Sequence, residues 1–163
     1  MAAVWSEYGL YELTFPHPTA GEAGKKITTG PLTQGNLSEE QSAWEMQLMS
    51  ELKSYFQGLP TKFTVPIDWN DYPDFRLKAL RFTAEIPFGQ VATYGGVASG
   101  AGKTRAARAV GGAMHSNRTP VVVPCHRVVG SGGSLTGFGG GLELKLKLLE
   151  LEGVTGFSLK KPH

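Results

Sequence analysis

The sequence predicts an α/β N-terminal domain, made of a small sheet and one helix, followed by a mainly helical C-terminal domain with a helix-turn-helix. Three observations support this fold class. Apolar and polar residues alternate over residues 10–15, apolar residues recur at helical spacing after Ser38, and the second half holds short helical stretches divided by glycine and proline. At 163 residues and 40% hydrophobic content, the chain can form one large domain or two small ones.

The first half begins with a predicted hairpin. Residues 4–5 and 10–15 are its strands, and residues 6–9 are its turn. Residues 16–37 are rich in Gly, Thr, Pro and Lys and predict a loop. Ser38 and Gln41 fit a capping box at the start of a helix that Gly58 and Pro60 end. The apolar face of that helix holds Trp44, Leu48, Leu52, Tyr55 and Phe56.

A linker is predicted at residues 67–74, between an N-terminal domain at 1–66 and a C-terminal domain at 75–163. This stretch holds prolines and acidic or amide residues. The charge changes sign nearby, since residues 1–75 have a net charge of −6 and residues 76–163 have +8. A basic half is typical of a nucleic-acid surface, although solvated faces that merely differ in charge explain the asymmetry equally well.

The second half predicts a series of helices. A glycine turn at residues 100–102 joins two of them into a helix-turn-helix pattern. The second helix of the pair carries two arginines beside small residues, which favours close approach to nucleic acid over ordinary helix packing. Three helices are predicted here. Asp74, Thr93 and Thr104 are their caps, and Ile86, Ser99 and Asn117 are their last residues, in that order.

Residues 120–124 are apolar and bracketed by prolines, and they predict an extended segment that leads to Cys125. A short return strand is expected at residues 135–138, and a last, leucine-rich helix at residues 142–152.

Cys125 is the only cysteine, so an internal disulfide is excluded and a reducing compartment is favoured. A lone cysteine is commonly inert packing. Here His126 and Arg127 follow at once, and we expect their positive charge to lower the pKa of the thiol. Neighbouring side chains seldom face each other, so His126 is expected to act through a water. The residues alone therefore predict a nucleophile whose reaction is open.

Composition excludes other classes. We expect no metal site, because no histidine pairs with the cysteine at metal-ligand spacing. The sequence predicts no cofactor, no secretory signal and no membrane span, and hence a cytoplasmic or otherwise intracellular protein.

The segment 124–128, Pro-Cys-His-Arg-Val, resembles the active-site signature of the O6-alkylguanine-DNA alkyltransferases, or methylated-DNA–protein-cysteine methyltransferases. Other motifs resemble that family in the same order over residues 75–153. These are Ile86-Pro87-Phe88-Gly89, Thr93-Tyr94-Gly95, Ala106-Ala107-Arg108-Ala109-Val110-Gly111, Asn117, Gly137-Phe138-Gly139-Gly140-Gly141 and Leu148-Leu149-Glu150-Leu151-Glu152-Gly153. The resemblance implies a ribonuclease-H-like N-terminal domain and a winged helix-turn-helix in the C-terminal domain.

The resemblance also implies a function and a partner. The partner is double-stranded DNA that contains O6-alkylguanine, bound through the minor groove by a monomer, with cooperativity on DNA left open. The damaged base is flipped out, and its alkyl group passes irreversibly and stoichiometrically to Cys125.

Residue roles follow from the same resemblance. Cys125 is the nucleophile, His126 and Glu152 relay its proton, Tyr94 donates to the guanine ring, and Asn117 links the recognition helix to the active-site segment. The expected DNA contacts are Thr93, Tyr94, Ala107, Arg108, Ala109, Gly111 and Arg127, with Arg108 entering the duplex. Arg118 departs from the family, which often has proline there, and is expected to add a phosphate contact. The expected base contacts are Tyr94, Val128, Phe138, Gly139 and Gly140.

Two other functions stay open at the sequence level. One is a non-enzymatic protein that binds alkylated bases, against which the presence of Cys125 argues. The other is a winged-helix transcription regulator whose cysteine is incidental or redox-sensing; tight binding to one operator sequence would favour it.

Overall fold

The computed structural model describes residues 1–28 and 35–157 and has a mixed α/β architecture, with a small N-terminal sheet and a helical C-terminal part. The strands are β1 (Ala3–Ser6), β2 (Gly9–Leu13), β3 (Ala92–Thr93) and β4 (Val128–Val129). The helices are α1 (Ala20–Gly24), α2 (Glu39–Phe56), α3 (Asp74–Ala84), α4 (Tyr94–Gly100), α5 (Ala107–His115) and α6 (Leu142–Leu151). One 3₁₀ turn covers Cys125–Arg127 and another covers Ser131–Gly133.

The predicted N-terminal hairpin and long helix are confirmed. Strands β1 and β2 pair antiparallel with a bulge at Val4 and Trp5. The Ser38 side chain accepts from the Gln41 N–H while the Gln41 side chain accepts from the Ser38 N–H, so α2 begins with the expected capping box. The predicted loop at 16–37 contains one short helix, α1, and its residues 29–34 lie outside the described residues.

Residues 66–68 do not form a solvated spacer. The Leu10 N–H donates to the Pro66 carbonyl at 2.8 Å and the Asp68 N–H donates to the Leu10 carbonyl at 2.9 Å, so this stretch pairs with β2. Gly9 has a φ of +137°, and a Cβ there would lie 2.4 Å from the Pro66 oxygen. Asp68 is buried and accepts from the Ser6 hydroxyl at 2.6 Å. The domain boundaries themselves stay a prediction.

Two predicted helix starts are wrong. Asp74 is the first residue of α3, not its cap, and Pro73 precedes it without a side-chain cap bond. Helix α5 begins at Ala107 instead of after Thr104, because Arg105 has a φ of +65°, which interrupts the helical backbone. The start of α4 is confirmed, since the Thr93 hydroxyl accepts from the Gly96 N–H at 3.0 Å.

The segment before the cysteine is turned, whereas the sequence predicts an extended run. Val121 has a φ of +75°, and the Val123 N–H donates to the Thr119 carbonyl at 2.9 Å. A β-branched residue in this region is strained, and surrounding contacts must hold it there. Val121 is buried, as are Val122 and Val123. No strand forms at residues 135–138; the partner of β3 is β4, in a parallel pair.

Three apolar clusters position the site. The largest packs α3, α4 and α5 around Leu80, Val97 and Val110, and it includes Cys125. A second lies between the hairpin and α2. The third joins α2 to α6 through Tyr55 and the strained Val121 segment, so the N-terminal helix contacts the C-terminal part directly behind the cysteine. In the described ranges, no helix combines the length and apolar composition that a membrane crossing requires.

Candidate active site

A cleft of about 1010 Å³ opens beside Cys125. Strand pairing creates it, because Ala92 faces Val128 and Thr93 faces Val129, which brings the start of α4 against the cysteine segment. Helix α5 forms a further wall, and the loop after β4 closes the cleft. Its lining includes eight of the predicted site residues, namely Thr93, Tyr94, Ala107, Arg108, Gly111, Cys125, Phe138 and Gly139.

Asn117 ties helix α5 to the cysteine. Its Nδ2 donates to Cys125 Sγ at 3.2 Å and to the Val123 carbonyl at 2.9 Å, while its Oδ1 accepts from the Thr119 N–H at 3.0 Å. One side chain, two residues beyond α5, thus holds both the sulfur and the turned segment before it. This is the linking geometry that the resemblance implies for Asn117.

The expected lowering of the thiol pKa is wrong. Cys125 is only 5% exposed, and burial raises the pKa of its thiol, against a hydrogen bond from Asn117 and the charge of Lys145. The expectation fails because the His126 and Arg127 side chains point to Glu152 instead of to the sulfur. A buried thiol of raised pKa needs a base that removes its proton during the reaction.

Glu152 is the centre of a buried network behind the cysteine. Its Oε1 lies 2.6 Å from His126 Nε2 and accepts from the Tyr55 hydroxyl at 2.7 Å. Arg127 donates from Nε to Oε2 and from Nη2 to Oε1, both at 2.9 Å, and the Gly89 N–H donates to Oε2 at 3.1 Å. Burial alone would raise the pKa of Glu152, but the bonds from His126 and Arg127 hold it at about 2. The carboxylate is therefore ionised at neutral pH.

The surroundings of His126 favour its neutral form. Burial lowers the pKa of its imidazole, against the pull of Glu152. Its Nδ1 is buried and makes no hydrogen bond to the part of the chain that the structure describes. Because Nε2 faces a carboxylate, the ring proton lies on Nε2 and Nδ1 is an acceptor. An acceptor of this kind on the residue next to Cys125 suits a general base.

Lys145, which the sequence analysis did not single out, lies on the cysteine side of α6. It is fully buried, and its Nζ donates to the Val128 carbonyl at 2.6 Å and to the Thr136 carbonyl at 3.2 Å. Burial lowers its pKa to about 8, with an opposing pull from Cys125. Its position three residues before the buried Leu148, on the apolar face of α6, is the one sequence signal that could have revealed it.

The same lysine alters the expected role of Val128. The Val128 carbonyl, expected to accept from the guanine amine, already accepts from Lys145 and has one lone pair left. Gly140 does not line the cleft; it packs so closely on Phe138, Phe15 and Leu144 that a Cβ would lie 2.8 Å from Leu144. Ala109 is exposed on α5 outside the cleft lining.

The structure bears differently on two predicted DNA contacts, Arg127 and Arg118. Arg127 is 4% exposed, and its guanidinium is used by Glu152 and by the Ile86 carbonyl, to which Nη1 donates at 2.6 Å. Arg118 stacks on the rings of Tyr11 and Tyr72, with its guanidinium carbon 3.9 and 4.3 Å from their centroids. Its Nη2 also donates to the Asp68 and Asn70 carbonyls. The buried guanidinium of Arg127 is therefore not available to DNA, whereas the half-buried Arg118 stays a predicted DNA contact.

Tyr55 also contacts this network, although the sequence analysis placed it on the apolar face of α2 and assigned it no role in the site. Its phenol lies 3.2 Å from His126 Nε2 as well as 2.7 Å from Glu152. The sequence offers only a general indication of this contact, namely that the hydroxyl of a buried tyrosine needs a hydrogen-bond partner. No three His, Cys, Asp or Glu side chains within residues 1–28 and 35–157 are grouped so as to hold a metal ion.

Comparison with known proteins adds to this geometry. The family model for the DNA-binding domain of 6-O-methylguanine DNA methyltransferase matches residues 74–154. The inducible methylated-DNA–protein-cysteine methyltransferase of Bacillus subtilis (strain 168) is 41% identical over 113 residues, which are 69% of this chain and 63% of that protein. The methylated-DNA–protein-cysteine methyltransferase of Sulfurisphaera tokodaii is 36% identical over 148 residues, 90% of this chain and 93% of the relative.

A solved structure is also similar to this chain. The crystal structure of Mycobacterium tuberculosis OGT in complex with DNA superposes with a TM-score of 0.63 and 42% identity, and the match covers 66% of each chain. The chain thus spans less than two thirds of some relatives and nearly all of the Sulfurisphaera tokodaii protein. With the family model, this extent of identity shows that the chain belongs to the methylated-DNA–protein-cysteine methyltransferase family.

Proposed function

We propose that this protein repairs DNA by moving an alkyl group, typically methyl, from O6 of guanine to Cys125. The single observation that carries the proposal is the placement of Cys125. Its sulfur lies at the wall of the cleft, and the residue that follows it presents an imidazole acceptor backed by Glu152. A nucleophile, a base and a group that orients the base are the three parts that nucleophilic catalysis requires.

The substrate is double-stranded DNA, and α4 with α5 forms the helix-turn-helix of a winged DNA-binding domain. Two features support this. Ala107 and Arg108 at the start of α5 are exposed and border the cleft, and Gly111 offers a face without side-chain bulk. In the proposal α5 lies in the minor groove and Arg108 takes the space of the extruded nucleotide. Minor-groove edges carry little sequence information, so binding is nearly sequence-independent.

The flipped guanine enters the cleft between Tyr94 and Phe138. His126 Nδ1 takes the thiol proton through one water, and Lys145 faces the thiolate that forms. The sulfur attacks the alkyl carbon, a carbon–sulfur bond forms, and the bond from that carbon to O6 breaks. The leaving guanine gains a proton from the Tyr94 hydroxyl, and solvent then carries the proton from His126 back to Tyr94, so that the net reaction moves the thiol proton to guanine. The thioether is stable, so each molecule reacts once.

Three finer points belong to this proposal. The N-terminal part has a ribonuclease-H-like fold, for which the hairpin and α2 supply two elements. The protein acts as a monomer, with cooperativity on DNA open. It works inside the cell, where its substrate lies.

Intact-protein mass spectrometry tests the transfer. The protein is mixed with a duplex that contains one O6-methylguanine, and Cys125→Ala serves as the control. We expect the wild type to gain the mass of one methylene, at most once per chain, and the variant to gain nothing. Lesion binding without a mass gain would instead favour the non-enzymatic binding protein.

A further inference from the structure

We propose that Tyr55 is a positioning residue for the general base: its hydroxyl donates to Glu152 and limits the negative charge that this carboxylate presents to His126 Nε2, which keeps the imidazole neutral and leaves Nδ1 as the acceptor for the thiol proton. The proposal rests on the function proposed above, in which His126 receives that proton. It also assigns a task to the N-terminal part of the chain, because Tyr55 lies on α2 and the other members of the network lie beyond residue 85.

The geometry is a closed triangle of polar atoms. The Tyr55 hydroxyl lies 2.7 Å from Glu152 Oε1 and 3.2 Å from His126 Nε2, and these two atoms are 2.6 Å apart. All three side chains are buried. Within such a triangle, the position of each proton determines which of the other contacts are favourable.

For a neutral His126, the tautomer with its proton on Nε2 fits the contact with Glu152. Hydrogen bonds hold the pKa of Glu152 at about 2, so Oε1 is an anionic acceptor, and burial raises the pKa of Tyr55, so the phenol keeps its proton. The phenol therefore donates to Oε1. If His126 Nε2 carried no proton, its lone pair would face a lone pair of Glu152 Oε1 at 2.6 Å. The two atoms would then compete for the proton of the phenol. With Nε2 protonated, both Nε2 and the phenol donate to the carboxylate.

The surroundings of Tyr55 keep this triangle rigid and dry. Its ring packs edge-on or tilted against Phe63 at 5.7 Å, Phe88 at 6.0 Å and the His126 ring at 6.4 Å between centroids. A tyrosine that only filled this space would be replaced by phenylalanine without loss. The hydroxyl is what separates a packing role from a positioning role.

Removing the Tyr55 hydroxyl should change the pKa of His126 in a defined direction. The charged groups that act on this imidazole are Glu152 and Lys145 on or beside α6, and Arg127 next to it in sequence. Without the Tyr55 donor, Oε1 concentrates more negative charge at Nε2, so the pKa of His126 rises. Because the neutral imidazole is the active base, the acidic limb of the rate profile moves to higher pH.

The test measures single-turnover methyl transfer from an O6-methylguanine duplex between pH 5 and 9. For Tyr55→Phe we expect the acidic limb to move to higher pH by roughly half to one unit. Placing 3-fluorotyrosine at position 55 gives a stronger donor and should move the limb to lower pH. Tyr8→Phe is the matched control, since that residue is 60% exposed in the hairpin turn and its profile should not change.

Nitrogen-15 NMR of the histidine rings provides a readout that does not depend on transfer, with His126→Gln used to assign the signal. The wild type should show the neutral, Nε2-protonated ring at neutral pH, and in Tyr55→Phe the ring should become doubly protonated at a higher pH than in the wild type. If Tyr55→Phe keeps the wild-type rate profile and the wild-type titration of the His126 ring, Tyr55 is packing only and the proposal fails. Should Tyr55→Phe not fold, the fluorotyrosine shift decides, and no shift overturns the proposal. An inactive wild type with the expected NMR change would refute the transfer function and leave the positioning role intact.

Discussion

Replacing Arg127 by methionine separates its structural role from the DNA contact that its sequence position suggests. The guanidinium donates three hydrogen bonds, two to Glu152 and one to the Ile86 carbonyl, at 2.6 to 2.9 Å. Methionine fills similar space but leaves the Glu152 carboxylate without its cation and the Ile86 carbonyl without this donor. Removing one partner of a buried ion pair costs about 3–5 kcal/mol. A domain of this size has about 5–15 kcal/mol of stability, so we expect a large fall in the free energy of unfolding.

Urea unfolding of Arg127→Met and Arg108→Met, each beside the wild type, measures that cost. Arg108 is exposed on α5, and its replacement should change stability by no more than about 0.5 kcal/mol. The two variants should show the opposite order in DNA binding. Arg108→Met should weaken duplex binding, whereas folded Arg127→Met should keep the wild-type dependence of affinity on salt concentration.

Arg127→Lys adds an intermediate case, because a lysine keeps the charge but lacks the fork that contacts both carboxylate oxygens. We expect its stability to lie between those of the wild type and Arg127→Met. The reasoning is refuted if Arg127→Met unfolds at the wild-type urea midpoint while losing DNA affinity and salt dependence, since Arg127 would then face DNA in solution.

Three further substitutions test the site. Asn117→Ala removes a donor to the sulfur, and since a hydrogen bond to a charged group contributes about 1.5–3 kcal/mol, the transfer rate at neutral pH should fall roughly tenfold to a hundredfold. The pH dependence of iodoacetamide alkylation should show a higher thiol pKa, and an unchanged curve would contradict this. A Cβ on Gly111 would meet no atom within 4 Å, so Gly111→Ala should stabilise the fold by about 1 kcal/mol in thermal unfolding while weakening duplex binding. Binding as tight as that of the wild type would argue against close approach of α5. The pKa of Glu152 is about 2 when folded against an ordinary 4.5, so the stabilisation from its ionised form is complete above pH 4.5 and is lost as the pH falls towards 2. Urea unfolding between pH 6 and 3 should therefore show a shallower pH dependence for Glu152→Gln, and parallel curves would exclude this linkage.

Local signals predicted the elements that depend on neighbouring residues. The capping box at Ser38 and the cap at Thr93 are correct, because a cap uses a hydroxyl and an N–H three residues apart. The sequence did not reveal the left-handed Arg105 or the turned Val121, because neither residue type signals a positive φ. Residues 66–68 look like a linker in composition, yet they pair with β2 because Gly9 leaves room for their backbone.

The sequence by itself identified the family of this protein, the candidate nucleophile and most of the candidate site residues, since these stand in short, ordered motifs around Cys125. Tertiary structure alone decided which charges act on the sulfur. It turned Arg127 inward to Glu152, directed Lys145 from α6 towards the cysteine, and brought Tyr55 from α2 into the base network. Burial and electrostatic contact depend on distances between segments far apart in the chain. The pKa of a thiol, and the use of an arginine for DNA or for the core, therefore follow from the fold and not from the order of residues.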